Sequence, residues 1–128
     1  MSKLAGTILI IKDDFNNVLV LNKKVKKSEP ETYCLVEQKA RAKESAEKCV
    51  HRSVKDSLKS IVFDLEEIND YPVEGEEEEI VKAFVGTIKE RIVLDKAYID
   101  LKWVGKNQFN NYNLSELDKK VLNDFFNK

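Results

Sequence analysis

The chain has 128 residues, 42% of them hydrophobic and 35% charged, a composition that fits one globular domain over residues 1–128 with a charged surface. Its 22 basic and 23 acidic residues leave a net charge of −1, which argues against a protein dominated by binding to a nucleic-acid backbone. No stretch approaches the roughly 20 apolar residues of a membrane span. The apolar N-terminal segment is broken by Gly6 and Thr7, lacks a small-residue cleavage site and reads as a strand rather than a signal peptide, so a cytoplasmic location is expected. Cys34, Cys49 and a single histidine, His51, do not make a zinc-ligand set, and the two cysteines are expected as reduced, buried thiols.

Residues 4–12 (LAGTILIIK) are rich in β-branched side chains and predict a strand. Asp13, Asp14, Phe15, Asn16 and Asn17 carry turn chemistry, and the apolar run 18–21 that follows predicts a second strand, hairpinned onto the first. Residues 23–30 are polar and basic, as in a loop, and 31–36 (ETYCLV) predict a short strand. From 44 to 60 the helical spacing of Ala46, Cys49, Val50, Val54, Leu58 and Ile61 predicts an amphipathic helix. At Ile61, Phe63 and Leu65 the period shortens to that of a strand, and the tetrad 76–79 predicts a solvated loop or hairpin end. Residues 80–88 and 99–104 predict further strands, and 114–126 a terminal helix with Ser115 and Asp118 at capping-box spacing. This order predicts an α+β protein with its sheet between helices.

The stretch from Tyr33 to Ile61 resembles the signature box of the Nudix (MutT-like) hydrolases, G-x5-E-x7-R-E-U-x-E-E-x-G-U, laid on this sequence without a gap. Tyr33, Cys34, Leu35 and Val36 look like the strand that leads into the box. Glu44, Arg52 and Val54 match its isolated glutamate, its arginine and its aliphatic position. Gln38 stands for the first glycine, Ser53 for the glutamate after the arginine, Asp56 and Ser57 for the Glu-Glu pair, and Lys59 for the second glycine. The likeness extends to Ala5–Ile10 with 18–21, which look like the family's first hairpin, and to Leu101–Val104 and 112–118, which look like its terminal strand and helix.

The resemblance implies a mixed sheet sandwiched between helices, and hydrolysis of nucleoside diphosphate derivatives by Mg²⁺ or Mn²⁺ held by box carboxylates. Hard divalent cations want charged oxygen ligands. Among Arg52, Ser53, Asp56 and Ser57 only Asp56 is a carboxylate, and a serine hydroxyl replaces neither the charge nor the base. On a helical wheel Ser53 and Ser57 point to the apolar side with Ala46, Val50, Val54 and Ile61, where carboxylates would be costly without metal. Glu37, Asp56 and Asp95, with the acidic cluster 74–79, are the remaining metal-ligand candidates. Gln38, Lys39, Glu44 and Arg52 are the ligand-binding candidates.

Each candidate has an ordinary structural explanation. Glu44 suits a helix start, and Arg52 suits a surface pair with Asp56 one turn on, of roughly 0.2–0.5 kcal/mol. Cys49 lies on the apolar side while His51 faces elsewhere, against a Cys-His nucleophile. Tyr33 and Trp103 suit core or edge positions, and the lysines at 23, 24, 26, 27, 39 and 43 with Arg41 suit either surface charge or attraction of a phosphate-bearing ligand. The functional expectation is a Nudix-like protein with lost or much reduced hydrolysis that binds a nucleotide-like ligand or a protein. The alternatives are a divergent active hydrolase and a structural or homodimeric module.

Overall fold

The computed structural model describes every residue except Met1, Ser2, Glu74 and Lys128, and for Glu76 and Glu77 the backbone alone. The apolar run near the N-terminus forms β1 (Lys3–Ile11), which is covered on both faces. Ile8 and Ile10 enter one core cluster, and Leu9 and Ile11 the other. A strand covered twice reads as unbroken apolar residues rather than as alternation, which is why 8–11 carry no polar position.

β1 pairs antiparallel with β4 (Val36–Lys39) and parallel with β6 (Glu76–Ile88), which pairs in turn with β5 (Val62–Val73), giving the order β4-β1-β6-β5. A second sheet has the order β3-β2-β7, from β3 (Thr32–Cys34), β2 (Val18–Lys23) and β7 (Tyr98–Val104). Helix α1 (Ala46–Leu58) packs Val50, Val54 and Leu58 onto Leu9, Ile11, Leu19, Leu21 and Phe84. Helix α2 (Glu116–Phe126) packs Val121 and Leu122 onto the opposite cluster with Ile8, Ile10, Val20, Val85 and Phe109. The two sheets therefore lie between two helices, as the α+β reading requires. Both helices start at serine caps: Lys48 N donates to Ser45 Oγ at 3.2 Å and Asp118 N to Ser115 Oγ at 3.1 Å. No helix among the described residues is long and apolar enough to cross a membrane.

Several expectations need correcting. β1 and β2 do not form a hairpin; they belong to different sheets, and one bridge, Lys12 to Val18, joins them across the turn. Residues 31–36 are two strand ends rather than one strand, because the chain leaves β3 at Cys34 and enters the other sheet at Val36. Helix α1 begins at Ala46, after Glu44, because Lys43 is in the left-handed region (φ 63°) and Ser45 is extended. β5 runs to Val73, with Pro72 and three register shifts, and carries exposed Glu66, Glu67 and Asp70 on a sheet edge that such features keep unpaired. Of the two expectations for residues 76–79 the hairpin end holds and the loop does not: β6 starts at Glu76, which pairs with Val73 of β5.

Candidate functional site

The match to the box glutamate and arginine is a clamp. Arg52 Nε donates to Glu44 Oε2 at 2.9 Å, and its Nη2 donates to Glu44 Oε1 at 2.8 Å and to the Lys39 carbonyl at 2.7 Å. The Arg41 amide donates to the same Oε1 at 3.0 Å. Bidentate pairing fixes the guanidinium plane as well as its position. Arg52 above all, then the Arg41 amide, holds the Glu44 carboxyl well below the usual range, at about 2. The expected pair of Arg52 with Asp56 is therefore wrong, and Glu44 is not simply an acid at the helix start. The arginine reaches back across the left-handed turn at Lys43 and ties the segment 39–44 to the helix.

Two serines stand among the apolar side chains on the inward face of α1. Ser53 and Ser57 are 1% and 7% exposed, and Ser53 Oγ is buried without a hydrogen-bond partner. Asp56 is exposed and accepts a long contact from Gln38 Nε2 at 3.5 Å. Lys59 caps the helix in the left-handed region (φ 52°), the conformation that a glycine takes at no steric cost. Its ammonium donates to the Asp56 carbonyl at 2.9 Å and to Asp95 Oδ1 at 3.3 Å, so Asp95 is held by a lysine. These donors do not fit a resident Mg²⁺ or Mn²⁺: two are neutral and buried, one carboxylate faces solvent, and a fixed cation holds the other. Among the described residues no three His, Cys, Asp or Glu side chains converge on one point.

A cleft of about 790 Å³ opens beside β4, β1 and β6, lined by Lys3, Thr7, Glu37, Gln38, Lys39 and Leu117 among others. Of the ligand-binding candidates it brings Gln38 and Lys39 together; Glu44 and Arg52 do not line it. Of the acidic run, Glu79 stands on its wall, whereas Glu74 and the side chains of Glu76 and Glu77 lie outside the described residues. Glu37 is packed against Asp118 of α2. Asp118 is 1% exposed; its Oδ2 accepts from the Leu35 amide at 3.2 Å and its Oδ1 has no partner. Burial first, then the hydrogen bond and charge of Asp118, push the Glu37 carboxyl well above the usual carboxylate range. Burial beside Asp118 thus favours the uncharged form of Glu37. From sequence Asp118 is visible as a capping partner of Ser115 and nothing more.

The raised carboxyl has a consequence for stability. Below the ordinary glutamate value of about 4.3 both folded and unfolded chains hold the proton and the stabilisation is complete. Above it the folded chain binds more protons than the unfolded one, so stability falls as pH rises toward the folded value. Glu37→Gln keeps the size and polarity of the side chain without the titration. Urea unfolding is expected to match the parent near pH 4 and to exceed it increasingly toward pH 8, by at least about 2 kcal/mol. A variant that declines with pH as steeply as the parent would remove Glu37 as the origin.

Both cysteines are buried and unpaired. Burial, followed by the nearby Glu37, pushes the Cys34 thiol up to about 12, and burial raises Cys49, which accepts from Thr7 Oγ1 at 3.2 Å. Such thiols are poor nucleophiles. His51 is exposed, Tyr33 is buried, and Trp103 lies on the edge strand β7 at 39% exposure.

No family model and no curated protein sequence matches the chain. Solved structures do. A Nudix hydrolase from Nitrosomonas europaea is similar with a TM-score of 0.76 at 11% identity, over 99% of this chain and 90% of that one. A MutT Nudix hydrolase from Burkholderia pseudomallei is similar with a TM-score of 0.76 at 15% identity, over 97% and 98%. The Nudix domain of NrtR from Shewanella oneidensis, crystallised with ADP ribose, is similar with a TM-score of 0.69 at 12% identity, over 99% and 88%. The order of the elements and these likenesses over nearly the whole chain agree: the protein has the Nudix fold.

Proposed function

We propose that this Nudix-fold chain binds a nucleotide-like ligand and that its metal-dependent diphosphate hydrolysis is lost or much reduced. The observation that carries the reading is the inward face of α1. Ser53 and Ser57 stand there buried and neutral, Asp56 faces solvent, and Asp95 is tied to the Lys59 ammonium. Charge that a hard dication would need is absent from the face that would hold it. The cleft beside β4 is the ligand seat, with Lys3 and Lys39 to meet phosphate and Gln38 to orient it. The ADP ribose bound by the similar NrtR domain supports a dinucleotide-sized diphosphate as the first probe.

The second reading, a divergent active hydrolase, is favoured by one feature: the carboxyl of Glu37 on the cleft wall, with the buried Asp118 beside it. One experiment separates the two. Nucleoside triphosphates, dinucleoside polyphosphates, nucleotide sugars and ADP-ribose are titrated by calorimetry with chelator, and product is followed with Mg²⁺ or Mn²⁺. The expected result is saturable, chelator-insensitive binding without turnover, weakened about tenfold or more by Lys39→Glu. Chelator-sensitive turnover that falls in Asp56→Ala or Glu37→Gln would instead establish the hydrolase.

A further inference from the structure

A second concavity, on the far side of α1, takes no part in the cleft above. It has a volume of about 790 Å³ and lies between the C-terminal half of α1 and the segment 90–93, lined by His51, Lys55, Lys59, Ser60, Ile61, Glu90, Arg91 and Val93. His51, Lys55 and Lys59 follow one another at four-residue spacing, so they form one rail along the helix. Lys55 and Lys59 close the helix, where a cation suits the negative pole, while the repulsion between the two opposes part of that gain. Lys59 is engaged with Asp95. Among the described residues neither Lys55 nor Arg91 has an ion-pair partner, and the facing wall offers one acid, Glu90.

Three further observations make this more than surface charge. Ile61 and Val93 stand in the groove at 56% and 50% exposure, two large aliphatic side chains that nothing in the fold covers. Ser60, also in its lining, is 8% exposed, and its buried hydroxyl has no hydrogen-bond partner. Third, the walls are preformed. Each of the last four carbonyls of α1 is taken: Lys55 by the Lys59 amide, Asp56 by the Lys59 ammonium, Ser57 by the Asp95 amide at 2.8 Å and Leu58 by the Val93 amide at 2.8 Å. The negative pole of the helix is thereby filled, and the segment bearing Arg91 and Val93 is fastened against it.

We propose that this groove is a second binding site, for a small phosphate monoester carrying an apolar body. The cations meet the phosphate, the serine hydroxyl completes its hydrogen bonds, and Ile61 and Val93 cover the apolar part. Inorganic phosphate would use half of this chemistry. A polyanionic strand would want a longer basic track than one bounded by Glu90 and two aliphatic side chains.

Phenyl phosphate and inorganic phosphate are the probes, titrated at low salt into the ¹⁵N-labelled full chain and followed by amide shifts. Phenyl phosphate is expected to give saturable shifts at Lys55, Ser60, Ile61, Arg91 and Val93. They should persist in Lys39→Glu, which alters the other cleft, and weaken about tenfold or more in Lys55→Ser/Arg91→Ser, whose side chains are exposed. Binding should also weaken with added salt and be tighter than that of inorganic phosphate. Shifts that fail to saturate, that centre on Lys3 and Lys39, or that survive the double substitution overturn the site. Equal affinity for inorganic phosphate overturns the ligand class.

Discussion

Gly6→Ala is expected to destabilise the protein by about 3 kcal/mol, which places it among the most damaging single methyl additions the chain can receive. A Cβ at this position meets the Gln38 carbonyl oxygen at 2.5 Å, with Gln38 C and Lys39 Cα both at 3.4 Å. None of these atoms is the end of a flexible side chain. Gly6 is paired with Lys39 on one side and with Val81 on the other, so β1 cannot slide away from the contact. The strand that must give is β4, which carries Glu37, Gln38 and Lys39 into the cleft, so ligand binding should fall together with the urea midpoint. Gly75→Ala is the control. Its backbone is left-handed (φ 82°), but a Cβ there meets nothing within 4 Å, and the loss should be about 1–2 kcal/mol. Equal losses from the two substitutions would mean that β4 does not pack on Gly6 as described.

Restoring a carboxylate to the inward face of α1 should be comparably harmful. Ser53→Glu puts an ionisable group where 1% of the residue is exposed, among Val50, Val54 and their partners, and is expected to cost about 3 kcal/mol at neutral pH. Protonation removes part of that cost, so the deficit should shrink as pH falls. The informative arm is added Mg²⁺ or Mn²⁺. A cation that binds the folded state restores stability in proportion to the logarithm of its concentration. The expected result is no restoration, since Ser57 is neutral and Asp95 is already held by Lys59. A melting temperature that climbs with Mn²⁺ would show that the groups around position 53 can still serve a cation and would overturn the conclusion that Asp56, Ser57 and Asp95 do not fit one.

The order of elements was legible in the sequence because it rests on local chemistry. Serine caps precede both helices, β-branched runs form the strands, and the Asp13 turn closes as its residues suggest, with the Phe15 and Asn17 amides donating to Asp13 Oδ1. Strand partnership was not legible. An apolar run buried on both faces carries no alternation to set its register, so the sequence points to the nearest run, 18–21, as its partner, whereas β4 and β6 supply it. The candidate site divides in the same way. The inward orientation of Ser53 and Ser57 follows from helical spacing alone. The pairing of Arg52 with Glu44 does not, because it depends on a left-handed lysine at 43 that propensity does not favour. Asp118 and Glu37 meet only through tertiary packing of α2 on the sheet, and no local pattern announces such a contact.

The parallel pairing of β1 with β6 also orders events in time. Ile8 lies beside Ala83, and Leu9 beside Phe84. On an elongating chain β1 is therefore available long before one of its two neighbours exists. Until β6 arrives, β4 is the sheet partner within reach, and it covers four positions, from Gly6 to Leu9. The remaining edge of a strongly apolar strand must wait through the making of α1 and the long β5. Such distant pairings are slow to close, and the waiting edge is open to pairing with other chains. β5 pairs with β6 rather than with β1, so the open edge of β1 is closed only when β6 joins it, and the charged, bulged β5 is then left as the outer edge of the sheet.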